Sequence, residues 1–193
     1  MSQTTSRITR SAKSGRLKIS TTGAARSPKG AAVATAEMKL LAIEPEAGVK
    51  EYVRVYSGAT PMQIVEIEKA GVRARLLKEL SKEMAIPSSR MFEILGVPKA
   101  TAEKKAAANE IVTGRGGHAA IGMVKLLGIA KEIVESSTAR EAKGFDSAKW
   151  LGGWIERRQP SLGGRKPADL LDTPTGVDVV ARLLGSIASG AYQ

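Results

Sequence analysis

Apolar side chains recur at helical spacing along most of the chain. Ile64 and Ile67, then Leu76, Leu77 and Leu80, then Met91, Ile94 and Leu95 each fall on one face of a helix. The spacing predicts a helix that opens at Thr60-Pro61 and closes at Gly71, a second over about Arg73–Ala85, a third from Pro87-Ser88 to Gly96, and a fourth over 98–110. Thr60 reads as an N-cap, Pro61 as the first helical residue and Gln63 as its capping-box partner. The longest helix is expected from Ala119 to about Ser136, with Met123, Leu126, Leu127, Ala130, Ile133 and Val134 on one stripe. Ile121, Val124 and Ile129 lie off that stripe, so this helix is buried on more than one side, as a spine between two parts or also as a dimer interface. Another helix is expected over Phe145–Arg158 on Leu151, Trp154 and Ile155, then a Leu162-Gly163-Gly164 turn and a short helix from Lys166-Pro167 to Leu171. Thr173-Pro174 caps a last helix carrying Val180, Leu183, Leu184 and Ile187. Only Tyr52–Tyr56 alternates, which reads as a short strand inside an otherwise irregular adaptor over 37–59. The fold class is all-α.

Composition narrows the chemistry. With no cysteine and a single histidine, disulfides, thiolate metal sites, cysteine nucleophiles and paired-histidine sites are excluded within one chain. No apolar run reaches bilayer-spanning length; the best, 119–134, is interrupted by Lys125 and Lys131. The net charge is +11, and residues 1–36 hold seven basic residues and no acidic one. That segment is rich in Ser, Thr, Gly and Ala and lacks periodicity, so it reads as a disordered basic arm, either a solvated tail or a source of phosphate contacts. Its composition is also that of a mitochondrial transit peptide, without the amphipathic helix one would carry. The arm leaves the rest of the chain only mildly basic.

Three motifs invite a chemical reading. The third helix, the turn at Gly96 and the fourth helix have helix-turn-helix spacing, and the fourth would offer Lys99, Thr101, Lys104 and Lys105 outward, together with Glu103. Lysines suit phosphates and Thr101 reaches a phosphate or a base edge; the same run also suits a solvated, alanine-rich surface helix. Gly114-Arg115-Gly116-Gly117-His118 has the glycines of a phosphate loop but neither its Lys-Ser/Thr nor a preceding strand, and reads as a flexible connection. No nucleophile is partnered with His118, and no metal, cofactor or catalytic constellation is present in the sequence, so no cofactor is expected and the chain is not read as an enzyme.

The third motif is longer. Trp150-Leu151 is followed by Pro160, Leu162, Gly163, Gly164, Pro167, Leu170, Leu171, Thr173 and Gly176, and then by Gly190 and Tyr192. This order and spacing resembles the toxin-binding domain of Xre/MbcA/ParS-type antitoxins. The resemblance implies an Xre-like helix-turn-helix domain over 60–144 and a small helical toxin-binding domain over 145–193. It further implies a cytoplasmic bacterial antitoxin that neutralises a partner toxin, in this family a RES-domain enzyme that consumes NAD, by covering its active-site cleft. Carried onto this chain, the contact surfaces are the Leu162, Gly163, Gly164, Arg165, Lys166, Pro167 turn and the Gly190, Tyr192, Gln193 end, with Arg157 and Arg158 beside the turn. Arg157, Arg158, Arg165 and Lys166 would meet acidic groups on the toxin, whereas Trp150 and Trp154 are expected in the core. The family also implies a homodimer that represses its own operon through Lys99, Thr101, Lys104 and Lys105. Relatives carry Thr-x-x-Arg-Arg there, and this chain has Thr101-Ala102-Glu103-Lys104-Lys105, without arginine's bidentate fork. The competing reading is a stand-alone helix-turn-helix regulator that binds operator DNA and has no toxin partner.

Overall fold

The computed structural model describes residues 47–137 and 140–188. The arm over 1–36, the first part of the adaptor and the contact residues Gly190, Tyr192 and Gln193 lie outside the described residues. Among those described there are eight α-helices: α1 (Val49–Ser57), α2 (Pro61–Ala70), α3 (Ala74–Glu83), α4 (Ser88–Ile94), α5 (Lys99–Ala107), α6 (Gly114–Ser136), α7 (Ser147–Ile155) and α8 (Pro174–Ala188). Short 3-10 turns at Arg140–Ala142, Pro160–Leu162 and Pro167–Leu170 bracket α7 and lead into α8. A minimal antiparallel ribbon pairs β1 (Val72–Arg73) with β2 (Ile111–Val112), Val72 opposite Val112.

The helix boundaries follow from their caps. Thr60 and Gln63 form the expected capping box: the Gln63 amide donates to Thr60 Oγ1 at 3.4 Å and the Thr60 amide to Gln63 Oε1 at 2.8 Å. The Gly176 amide donates to Thr173 Oγ1 at 3.1 Å, which caps α8. Gly96 ends the α4 turn at φ +64°, where other residues are strained.

Two expectations are corrected. Tyr52–Tyr56 is not a strand but the centre of α1, and the second half of the adaptor is therefore helical. Val49, Tyr52 and Val53 are buried at i, i+3 and i+4, while the half-buried Val55 and Tyr56 imitate alternation. The Tyr52 hydroxyl accepts from the Arg73 amide at 3.2 Å, tying α1 to the ribbon. Nor is Gly114–His118 a flexible connection: it is the first turn of α6. A Cβ on Gly116 would stand 2.4 Å from Val97 Cγ2, and one on Gly117 would stand 2.6 Å from the Val112 carbonyl oxygen. These glycines let the helix start press onto the β2 backbone and the α4–α5 turn.

α6 is the axis of the molecule. It packs against α1 and α2 on one side and against α7 and α8 on the other. Ala119, Ala120, Ile121, Met123, Val124 and Leu126 are all buried, so the off-stripe Ile121 and Val124 are covered too, while Ile129 is half-buried. α3, α4 and α5 form a second layer around Leu76, Leu77, Leu80, Met91, Phe92 and Leu95. One continuous buried cluster joins this layer to Leu151, Ile155, Leu171, Val180 and Leu184 of the C-terminal helices.

Candidate functional site

The turn between α7 and α8 is built almost entirely from backbone hydrogen bonds. Gln159 and Arg165 pair as an antiparallel bridge, with the Gln159 amide donating to the Arg165 carbonyl at 3.0 Å. The Gln159 carbonyl in return accepts from the amides of Leu162 and Gly164, each at 3.0 Å. Gly163 and Gly164 take φ +64° and +76°, which closes the loop in so few residues. Gln159 is buried at its base, and Pro167 and Ala168 are buried beyond it. Arg157, Arg158 and Arg165 project into solvent, and Arg158 Nη1 donates to the Gly164 carbonyl at 2.9 Å. The expected contact residues between Arg157 and Pro167 are thus gathered on one turn, with two qualifications. Pro167 faces inward, and Lys166 is engaged within the protein.

Lys166 Nζ donates to Glu156 at 2.9 Å, and the same carboxylate accepts from Arg90 Nε at 2.7 Å and Arg90 Nη2 at 3.4 Å. Arg90 sits in α4 and also pairs with Glu93 at 2.9 Å, with Asp169 at 3.8 Å. The fork onto Glu156 holds that carboxyl below the usual carboxylate range, with Lys166 adding to the effect against the cost of partial burial. The same bond, followed by Glu93, pushes the Arg90 guanidinium still further above its ordinary value. Arg115 pairs with Asp172 and donates from Nε to its carbonyl at 3.2 Å, and Lys125 pairs with Asp178 at 2.7 Å. The C-terminal segment is thereby fastened to α4 and α6 by four ionic contacts, Arg90–Glu156, Arg90–Asp169, Arg115–Asp172 and Lys125–Asp178, that close over long sequence separations. Nothing in the spacing of Arg90 and Glu156 signalled this.

The α5 surface is as expected in outline. Lys99, Thr101, Glu103 and Lys104 are exposed, and Ala102 alone is buried against the layer below. Lys105 is half-buried and donates to Glu110 and to the Ile111 carbonyl, each at 3.1 Å, while Lys99 lies 3.9 Å from Glu103. Of the candidate cations, Lys104 has the freest reach.

The two tryptophans differ. Trp154 is buried, as expected, whereas Trp150 is only half-buried and stacks on it with ring centres 6.0 Å apart and planes at 17°. Phe145 extends the aromatic row at 6.2 Å from Trp150 and is 44% exposed. Phe145 precedes Ser147, the first residue of α7, and so stands at the lip of the helix and not on its buried face.

Residues 144–190 match the Antitoxin Xre/MbcA/ParS C-terminal toxin-binding domain. This segment contains the arginine turn, the aromatic row and α8. The chain is also similar to a protein of Sphingobium sp. (strain YBL2) described as a Prs ADP-ribosylating antitoxin. The two are 38% identical over 134 residues, which cover 69% of this chain and 83% of that one. The chain belongs to the Xre/MbcA/ParS-type antitoxins. It is an antitoxin whose C-terminal helices form the toxin-binding domain. No helix among the described residues is long and apolar enough to cross a membrane.

Proposed function

We propose that this antitoxin neutralises an NAD-consuming toxin, of the RES-domain type, by covering its active-site cleft with the α7–α8 turn and the Gly190, Tyr192, Gln193 end. The observation that carries the reading is the turn itself. Three exposed arginines, Arg157, Arg158 and Arg165, stand on a backbone-bonded loop within the segment that matches the toxin-binding family. Such a loop loses little entropy on binding, and arginine forks suit carboxylates on a partner. The described function of the Sphingobium relative agrees with this choice of partner, since ADP-ribosylation draws its ADP-ribose from NAD. The antitoxin acts by occupancy and carries out no turnover.

A second activity is supported by the α4–Gly96–α5 arrangement, which leaves Lys99, Thr101 and Lys104 exposed on the outer surface of α5. We infer that a homodimer uses this face on operator DNA and so represses its own operon. The decisive test is to induce the neighbouring reading frame in a bacterial host with and without this protein, while following growth and cellular NAD. Growth arrest with NAD loss, rescued by co-expression, is the expected result. Arrest and rescue with NAD unchanged would keep the antitoxin and discard the NAD-consuming partner. A harmless neighbour would discard that gene's product as the toxin and make DNA binding through α5 the activity to test next.

A further inference from the structure

Where the end of α6 meets the start of α7, the surface opens into an apolar groove of about 300 Å³. Ala130, Ile133 and Val134 of α6 form one wall, and Phe145, Trp150 and Ile187 form the other. We propose that this groove is a docking pocket for an aliphatic or aromatic side chain of the toxin, separate from the arginine turn; the inference rests on the antitoxin reading above.

Three observations carry it. The first is the state of Phe145, which is 44% exposed although its ring is held in place. It tilts at 55° against Trp150, which stacks on the buried Trp154, so the row runs from the groove into the core. An exposed aromatic anchored in this way costs little ordering entropy when a partner covers it, as in the hot spots of protein interfaces. The second is continuity. Phe145, Trp150 and Ile187 all lie within 144–190, the segment matching the toxin-binding domain, so this wall of the groove belongs to that domain. The third is extent. The neighbouring exposed positions of α6, Lys131, Glu132, Glu135 and Ser136, are polar, so along α6 the apolar surface stops at the groove. A helix seam with a second copy of this chain would need an apolar stripe continuing along α6. A pocket bounded by polar residues along α6 fits one inserted anchor.

The test uses the full-length antitoxin and a catalytically inactivated product of the neighbouring reading frame. Affinity is measured by titration calorimetry for the unaltered protein, Phe145→Glu and Phe145→Leu, with sedimentation and thermal melting of each antitoxin alone. The expected result is binding weakened about tenfold or more by Phe145→Glu and within about threefold by Phe145→Leu, with melting and sedimentation unchanged. Unaltered affinity in Phe145→Glu would overturn the pocket while leaving the antitoxin reading intact. A change in sedimentation of Phe145→Glu would overturn it in favour of a second copy. Failure of the unaltered protein to bind that toxin would remove both the pocket and the proposed toxin partner on which it stands.

Discussion

Glu156 receives two cations from different parts of the chain, Arg90 from α4 and Lys166 from the arginine turn. Neither pair is fully exposed, with about a quarter of the Glu156 side chain accessible. Replacing it by glutamine leaves Arg90 with Glu93 and Asp169 but removes the charge that joins the two segments. The expected loss of stability is about 1 kcal/mol, at the upper end for partly exposed ion pairs, read from the urea midpoint. The folded carboxyl titrates below its ordinary value of 4.5, so the contribution is complete above that value and is lost as pH falls through the lower folded one. Melting temperatures of the protein and Glu156→Gln should therefore differ at pH 7 and converge as the solution is acidified below 4.5. At the arginine turn, Arg165→Glu should leave the fold unchanged, since its side chain is exposed, and on the proposed function it should weaken toxin binding about tenfold, mostly through slower association that depends on salt. Surface plasmon resonance against inactivated toxin would register this.

Among the elements, α6 depends on absent side chains. A Cβ on Gly122 would stand 2.5 Å from Val177 Cγ2, and one on Gly117 would meet the β2 backbone. Gly122→Ala should force α8 outward and cost about 1–3 kcal/mol, the usual penalty of overpacking. Gly153, on the exposed side of α7 with nothing within 4 Å of its would-be Cβ, makes the contrasting case. Gly153→Ala should stabilise by about 0.5–1 kcal/mol through helix propensity. Thermal melts of the two variants would move in opposite directions. The same contrast explains what was legible beforehand. The capping box at Thr60, the turn at Gly163-Gly164 and the core faces of α3, α4 and α8 are local patterns, and they are read directly from neighbouring residues. The role of Gly116 and Gly117 is set by residues packed on them across space, and a run of glycines looks alike whether it bends or is pressed flat. α1 was missed because its burial depends on α6 and its β-branched residues imitate a strand. That Arg157, Arg158 and Arg165 flank the Gly163-Gly164 turn follows from their neighbours in the chain, whereas Lys166's engagement with Glu156 and the exposure of Phe145 follow from tertiary placement alone.

For the whole molecule, charge is distributed in tiers. Seven basic residues in 1–36 stand ahead of a folded part whose cations are often matched, as at Arg90, Arg115 and Lys125. If the α5 face binds an operator, log affinity should fall linearly with log salt. Lys104→Ala should reduce that slope by about one, and removal of residues 1–36 should reduce it further if the arm touches phosphates. Fluorescence anisotropy over a salt series would separate the two contributions.

The two-sided burial of α6 also bears on how such proteins can diversify. Its first turn is fitted to Val97 and Val112 of the N-terminal layer, and its middle is fitted to Val177 of the toxin-binding helices. A recombination event that exchanged only the C-terminal helices between relatives would bring a foreign α8 against a resident Gly122. One that carried α6 along would instead mismatch the β2 ribbon. New toxin specificities in this lineage should therefore arise by substitution on the exposed turn and groove, while the helix beneath them is inherited as a single block.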